Sequence, residues 1–177
     1  RGLWLPDVRT DADLDGAVEG IKAHAEREAA RPWTLTLPRY LGDCTRLGEC
    51  LLGLTGAISL DCPLVTTVGE HAFLCCSSLA AVRMDAVTVV GRFAFYDCAA
   101  LTTVRMGAAE TVGDGAFYDC AALKTVHMPA VEIVGRFAFY GCTALRLESP
   151  VLPASIARIG SGAFNCCSSI TAIDFSK

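Results

Sequence analysis

The chain has 177 residues, 53% of them hydrophobic, with a mean hydropathy of +0.43 and a net charge of −4. That length allows one domain with a substantial core, and the slightly acidic balance offers no basic field for nucleic acid. No apolar run approaches the roughly 18 residues that cross a bilayer, so the apolar excess is expected in an interior rather than in a membrane.

Leu3, Trp4, Leu5 and Pro6 make an apolar start expected to pack on another element of the chain. Residues 10–30 then read as one amphipathic helix, with about 11–30 as its body. Thr10 and Asp13 form a capping arrangement, and Leu14, Val18, Ile21 and Ala25 recur at steps of 4, 3 and 4. Glu26, Arg27 and Glu28 are expected to face outward, and Arg31-Pro32 stops the helix. Its polar face is mixed and acidic rather than lysine-rich, which disfavours a membrane-surface helix. Residues 1–32 are therefore expected to form an N-terminal cap for the open end of a stack.

Trp33-Thr34-Leu35-Thr36-Leu37-Pro38 reads as a first strand. Beyond it one unit recurs: an Ala-Phe pair ends at Phe73, Phe95, Phe117, Phe139 and Phe164, at steps of 22, 22, 22 and 25. A fixed period in this range signals a solenoid. Short alternating segments end at Leu37, Leu60, Met84, Met106, Met128, Leu152 and Phe175, which predicts seven strands in residues 33–177. Residues 39–56 keep the spacing but have Cys50-Leu51-Leu52 where the Phe would fall, as in a degenerate first coil. Pro150 lies inside the strand ending at Leu152, which predicts a local bulge. Ile173-Asp174-Phe175 ends the chain without a capping helix and leaves a sheet edge and an apolar end open.

In the return path Val-Gly-x-x-Ala-Phe-x-x-Cys, Gly is expected to allow a tight turn, Ala a close approach, and Phe to fill the interior. No coil buries its apolar residues alone; stacking creates the core. Val112-Gly113-x-x-Ala116-Phe117-x-x-Cys120-x-x-Leu123-x-x-Val126-x-Met128-Pro129 resembles the unit of the BspA-like, or Treponema pallidum-type, leucine-rich repeat family. The resemblance covers roughly residues 35–177. It implies a leucine-rich repeat solenoid, an α+β repeat architecture with 22–25-residue coils and parallel strands on the concave face. It also implies a non-enzymatic surface or secreted protein that contacts host or matrix proteins. The sequence begins at Arg1 with no visible leader, as a processed or a trimmed chain would, so a secreted, periplasmic or cell-surface location is an expectation of the resemblance.

Of ten cysteines, Cys76, Cys98, Cys120, Cys142 and Cys167 share one repeat position and read as a ladder of buried thiols. Cys44, Cys50, Cys62, Cys75 and Cys166 lie outside it, with one or two disulfides among them left open, so the cysteine count does not fix the compartment. His24, His71 and His127 show no metal-ligand spacing, and no Cys-x-x-Cys occurs. Cys75-Cys76 and Cys166-Cys167 read as packing or disulfide pairs rather than zinc ligands. Gly53-x-x-Gly56 lacks the rest of a phosphate loop, and a catalytic Cys paired with His71 has no local signature. No catalytic residue, metal or cofactor is expected.

Two surfaces remain as candidates for binding a protein partner. The residue before each strand's last apolar position should point away from the core, giving Thr36, Ser59, Arg83, Arg105, His127, Val151 and Asp174. Arg83, Arg105 and His127 would form a basic concave stripe above small neighbours Ala81, Thr103 and Thr125, unless they are simply a solvated strand face. Tyr96, Tyr118 and Tyr140 should stack on the return path beside Arg92, Asp114 and Arg136, either as a recognition surface or as edge packing with a wet hydroxyl. A structural role, with a homodimer formed through the C-terminal coil, is the alternative function.

Overall fold

The computed structural model describes residues 2–146 and 153–172. Strand β1 (Gly2–Trp4) is followed by helix α1 (Asp11–Glu28), β2 (Trp33–Thr36), helix α2 (Thr45–Leu51) and β3 (Ile58–Asp61). Longer and shorter strands then alternate: β4 (Thr67–Val68), β5 (Leu79–Arg83), β6 (Val89–Val90), β7 (Thr103–Arg105), β8 (Thr111–Val112), β9 (Thr125–His127), β10 (Ile133–Val134) and β11 (Arg158–Ile159). The longer ones form a six-stranded parallel sheet in the order β1-β2-β3-β5-β7-β9, and the two-residue ones a five-stranded parallel sheet in the order β4-β6-β8-β10-β11. The result is a leucine-rich repeat solenoid with two sheets as opposite walls and the core between them.

The core is a set of rows, each filled by one residue per coil. Leu35, Leu60, Val82 and Val104 are buried in register on the longer strands, each worth roughly 1.5–3 kcal/mol of burial. Phe73, Phe95, Phe117, Phe139 and Phe164 form a continuous stack with centroids 5.0–5.4 Å apart and nearly parallel rings. Beside them the thiols of Cys98, Cys120, Cys142 and Cys167 donate to the carbonyls of Phe73, Phe95, Phe117 and Phe139 at 3.0–3.1 Å. A thiol is thus both filler and donor, bonded to the coil before its own. All ten cysteines are free, so no disulfide joins the five outside the ladder; Cys75 and Cys166 are exposed and the rest are buried.

Several expectations are corrected. Helix α1 belongs to the first coil and packs beside α2. β1 pairs in parallel with β2, so α1 is the return limb of a coil whose strand is β1. Thr10 closes the capping box with Asp13, and the helix ends at Glu28 with Ala29 as C-cap, short of Ala30. Leu14, Ile21 and Ala25 are buried, while Val18 is only partly so.

The terminal apolar position of β3 belongs to Cys62, not Leu60, because Cys62 N–H bonds the Arg83 carbonyl as Met84 N–H bonds that of Arg105. Cys76 donates to the Gly48 carbonyl, so Gly48 rather than Cys50-Leu51-Leu52 takes the Phe position in the degenerate coil.

The glycine of each Val-Gly pair does not supply a left-handed turn. A Cβ on Gly91 would stand 2.7 Å from the Glu70 nitrogen and the Gly69 carbonyl carbon, so glycine lets adjacent coils touch. Left-handed backbone falls two and six residues later instead, at Phe93 and Asp97 in that coil. The irregularity in the long sheet lies between β3 and β5 near Ile58 and Ser59. The predicted strands ending at Leu152 and Phe175, and the bulge at Pro150, lie outside the described residues.

Candidate functional site

The strand register aligns Arg83, Arg105 and His127 at the ends of β5, β7 and β9, with Ala81, Thr103 and Thr125 as the neighbouring row. Arg83 and Arg105 are exposed and His127 is half-buried. The same row continues to Asp61 and Thr36, not to Ser59, which pairs instead with Thr34 and Ala81. Arg83 Nε donates to Asp85 Oδ2 at 2.9 Å, and Arg105 Nε donates to Asp85 Oδ1 at 3.0 Å. The hydrogen bond from Arg83, joined by the charge and hydrogen bond of Arg105, holds the Asp85 carboxyl below the usual carboxylate range. Two guanidiniums therefore share one carboxylate, and a second acid, Asp61, stands next in the row. The expected basic stripe is largely neutralised within the fold. Asp85 lies two residues past Arg83 in sequence, and the turn after Met84 brings it back to the strand end. Val151 and Asp174 lie outside the described residues, as does the C-terminal segment 173–175 through which a homodimer was expected.

On the return path, Tyr96 and Tyr118 stack at 5.3 Å, and Tyr118 and Tyr140 at 4.6 Å. All three are half-buried. Phe93 meets Tyr96 edge-on at 5.8 Å, and Phe137 meets Tyr140 edge-on at 6.1 Å. Arg92 lies over Phe93 at 4.8 Å and Arg136 near Phe137 at 6.0 Å, within reach of a cation–π attraction. Asp114 Oδ1 accepts the backbone N–H of Arg136 at 2.7 Å. Neither arginine forms an ion pair among the described residues.

Phe93 and Phe137 stand in left-handed backbone, with φ of 51° and 53°, and the equivalent position is glycine at Gly115 and Gly162. A bulky residue there costs roughly 1–2 kcal/mol, so Phe93 and Phe137, like His71 one coil earlier at φ 58°, stand where a glycine would be strain-free. Between the two phenylalanines a cleft of about 230 Å³ opens over Gly115, with Tyr118 and the two arginines in its lining. The tyrosine row was visible in the repeat; the cleft was not. Its signal was the Phe-Gly-Phe alternation at 93, 115 and 137.

Among the described residues, no group of three or more His, Cys, Asp or Glu side chains could hold a metal ion, and no helix is long and apolar enough to cross a membrane. The BspA type leucine-rich repeat region matches residues 88–177 in six copies. This is narrower than the 35–177 expected, and leaves out the coils with helical return limbs together with the coil of β3 and β4. No curated protein matches the chain. Two solved structures are similar. A leucine-rich repeat protein of T. pallidum shares 27% identity at a TM-score of 0.60, covering 77% of this chain and 61% of that one. A leucine-rich repeat protein of Bacteroides ovatus shares 22% identity at a TM-score of 0.57, covering 81% and 42%, and bears on the fold alone. The chain thus spans less than two thirds of the length of either.

Proposed function

Because the chain belongs to the BspA-type leucine-rich repeat family, and solenoids of this class generally serve as protein-interaction scaffolds, we propose that it is a non-enzymatic protein-binding module. It acts as a secreted, periplasmic or cell-surface protein and contacts host or matrix proteins through its return-path face. The observation that carries this reading is the half-exposed ladder of Tyr96, Tyr118 and Tyr140 beside the Gly115 cleft. Tyrosine and arginine are enriched among the few residues that dominate the energy of protein interfaces. Stacking already fixes these rings, so little side-chain entropy remains to be lost on association. The concave row is the weaker candidate, since Asp85 occupies both of its arginines.

The test is a panel of purified matrix and cell-surface proteins probed with three forms of the chain: wild type, the concave variant R83E/R105E/H127E, and the ladder variant Y96A/Y118A/Y140A. Wild type and the concave variant should bind a common partner, and the ladder variant should lose at least tenfold in affinity with its circular dichroism retained. Loss in the concave variant alone would overturn the assignment to the ladder. A wild-type chain that binds nothing on the panel would overturn the reading itself.

A further inference from the structure

We infer that the cleft over Gly115 receives an aromatic side chain of a partner protein, with a carboxylate beside that side chain held by Arg92 and Arg136. The inference rests on the protein-binding reading and names the chemistry of the partner at that site.

The aromatic pattern of the return path is complete in two coils and interrupted in the one between them. Tyr96 has Phe93 at its edge and Tyr140 has Phe137 at its edge, with interplanar angles of 84° and 74°. Tyr118 has Gly115 at that place and no such ring. The cleft of about 230 Å³ lies there, with Phe93 and Phe137 as walls and Tyr118 within it. A Cβ on Gly115 would meet the ring of Phe93, so glycine is the residue that leaves that ring where it stands. A ring entering from another molecule could meet Tyr118 edge-on, the arrangement that its neighbours already show and that aromatic pairs favour. Tyr118 is itself held between Tyr96 and Tyr140, so the site is formed before its occupant arrives.

Charge sets the second requirement. Arg92 and Arg136 line the cleft, their guanidiniums lying near Phe93 and Phe137 and forming no ion pair among the described residues. Asp114, the acid in the lining, already accepts the Arg136 backbone N–H. The lining therefore carries two positive groups against one negative, which suits an acidic residue adjacent to the inserted ring. A basic neighbour would face two guanidiniums.

The experiment is selection of a phage-displayed random dodecapeptide library on the immobilised full chain, followed by affinity measurement with the synthetic consensus peptide. Enriched peptides should carry Phe, Tyr or Trp next to Asp or Glu. Replacing the peptide's aromatic residue with Ala should weaken binding at least tenfold. R92E/R136E should lose at least tenfold for the same peptide, and a peptide with its acid changed to Lys should regain binding to that variant, a rescue that general damage to the fold would not give. Enriched peptides without an aromatic–acidic pair, or binding indifferent to R92E/R136E, would overturn the inference. So would enriched sequences copying this chain's own segment around Trp4, which is 65% exposed, since the occupant would then be a second copy. If the peptide result is negative while a panel protein still binds wild type, the inference falls and the protein-binding reading stands. If both are negative, both fall.

Discussion

The first two coils and the later ones share one parallel sheet but close it in different ways. From β1 to β3 the return limbs are helices, and the interior is filled by Leu14, Ile21, Leu47 and Leu51 together with Trp33 and Tyr40. From β3 onward the return limb is a two-residue strand and a turn, and the interior is the phenylalanine stack with its thiol ladder. A helix rises only about 1.5 Å per residue, so the 18-residue α1 needs a longer coil than the 22-residue units do. The helical coils are fixed by individual contacts: the Tyr40 hydroxyl donates to Asp11 Oδ1 at 2.5 Å, tying the exit of β2 to the first turn of α1. The later coils are held by rows in which every residue supports its counterpart one coil away. The first design is sequence-rich and local; the second is repetitive and collective.

Gly48 is where the two meet. It lies in α2, its carbonyl receives the Cys76 thiol, and a Cβ there would overlap the Ala72 carbonyl oxygen.

The largest effect is expected in the repetitive region. Phe117 is fully buried between rings at 5.0 and 5.1 Å, so Phe117→Ala should cost about 3–5 kcal/mol. Urea denaturation should show it, and hydrogen exchange should show the coils around Phe117 losing protection while α1 keeps its own. Next is the junction. Gly48→Ala should improve helix propensity by about 1 kcal/mol yet still destabilise, because overpacking against a backbone carbonyl costs about 1–3 kcal/mol or more. Thermal melts should split into two transitions if this contact couples the regions, and a single unshifted melt would contradict that coupling.

Alkaline pH should then separate the regions further. Burial pushes the Cys76 thiol up to about 12 and the Cys167 thiol up to about 11, from an ordinary value of 9.0. The unfolded chain therefore loses these protons first. The resulting stabilisation is complete below about pH 9 and declines as pH rises from about 9 to 12. Denaturant midpoints measured across that window should fall less in a Cys76→Ser/Cys167→Ser variant than in wild type. In the native state near neutral pH, a thiol reagent should label the exposed Cys75 and Cys166 well before the ladder cysteines.

The smallest effects belong to the surface of the helical region. Thr10→Ala removes the capping box with Asp13 and should cost about 1 kcal/mol. Arg46→Ala breaks exposed ion pairs to Asp15 and Glu49 at 2.6 Å each and should cost at most about 1 kcal/mol, measured by the same denaturant titration.

The two regions also differ in how much could be read beforehand. Phe73, Phe95, Phe117 and Phe139 recur at a fixed interval, so their row was legible as arithmetic on the chain. The body of α1 was legible from its cap and its 4-3-4 stripe. β1 was not, because a three-residue apolar segment becomes a strand only when β2 stands beside it. The choice between Leu60 and Cys62 was not legible either: both are apolar, two residues apart on one face, and only the hydrogen bond from Cys62 to Arg83 decides the register.

By itself, the sequence determined the period, the identity of each repeating row and the helix at the start, since all three are properties of spacing along one chain. Tertiary structure alone decided what happens between rows and across coils. It turned Arg83 and Arg105 toward Asp85, placed Gly91 against the backbone of the preceding coil, and left an opening over Gly115 between two strained phenylalanines. Periodicity records which residues are equivalent. It does not record where a side chain turns once a neighbouring coil lies about 5 Å away.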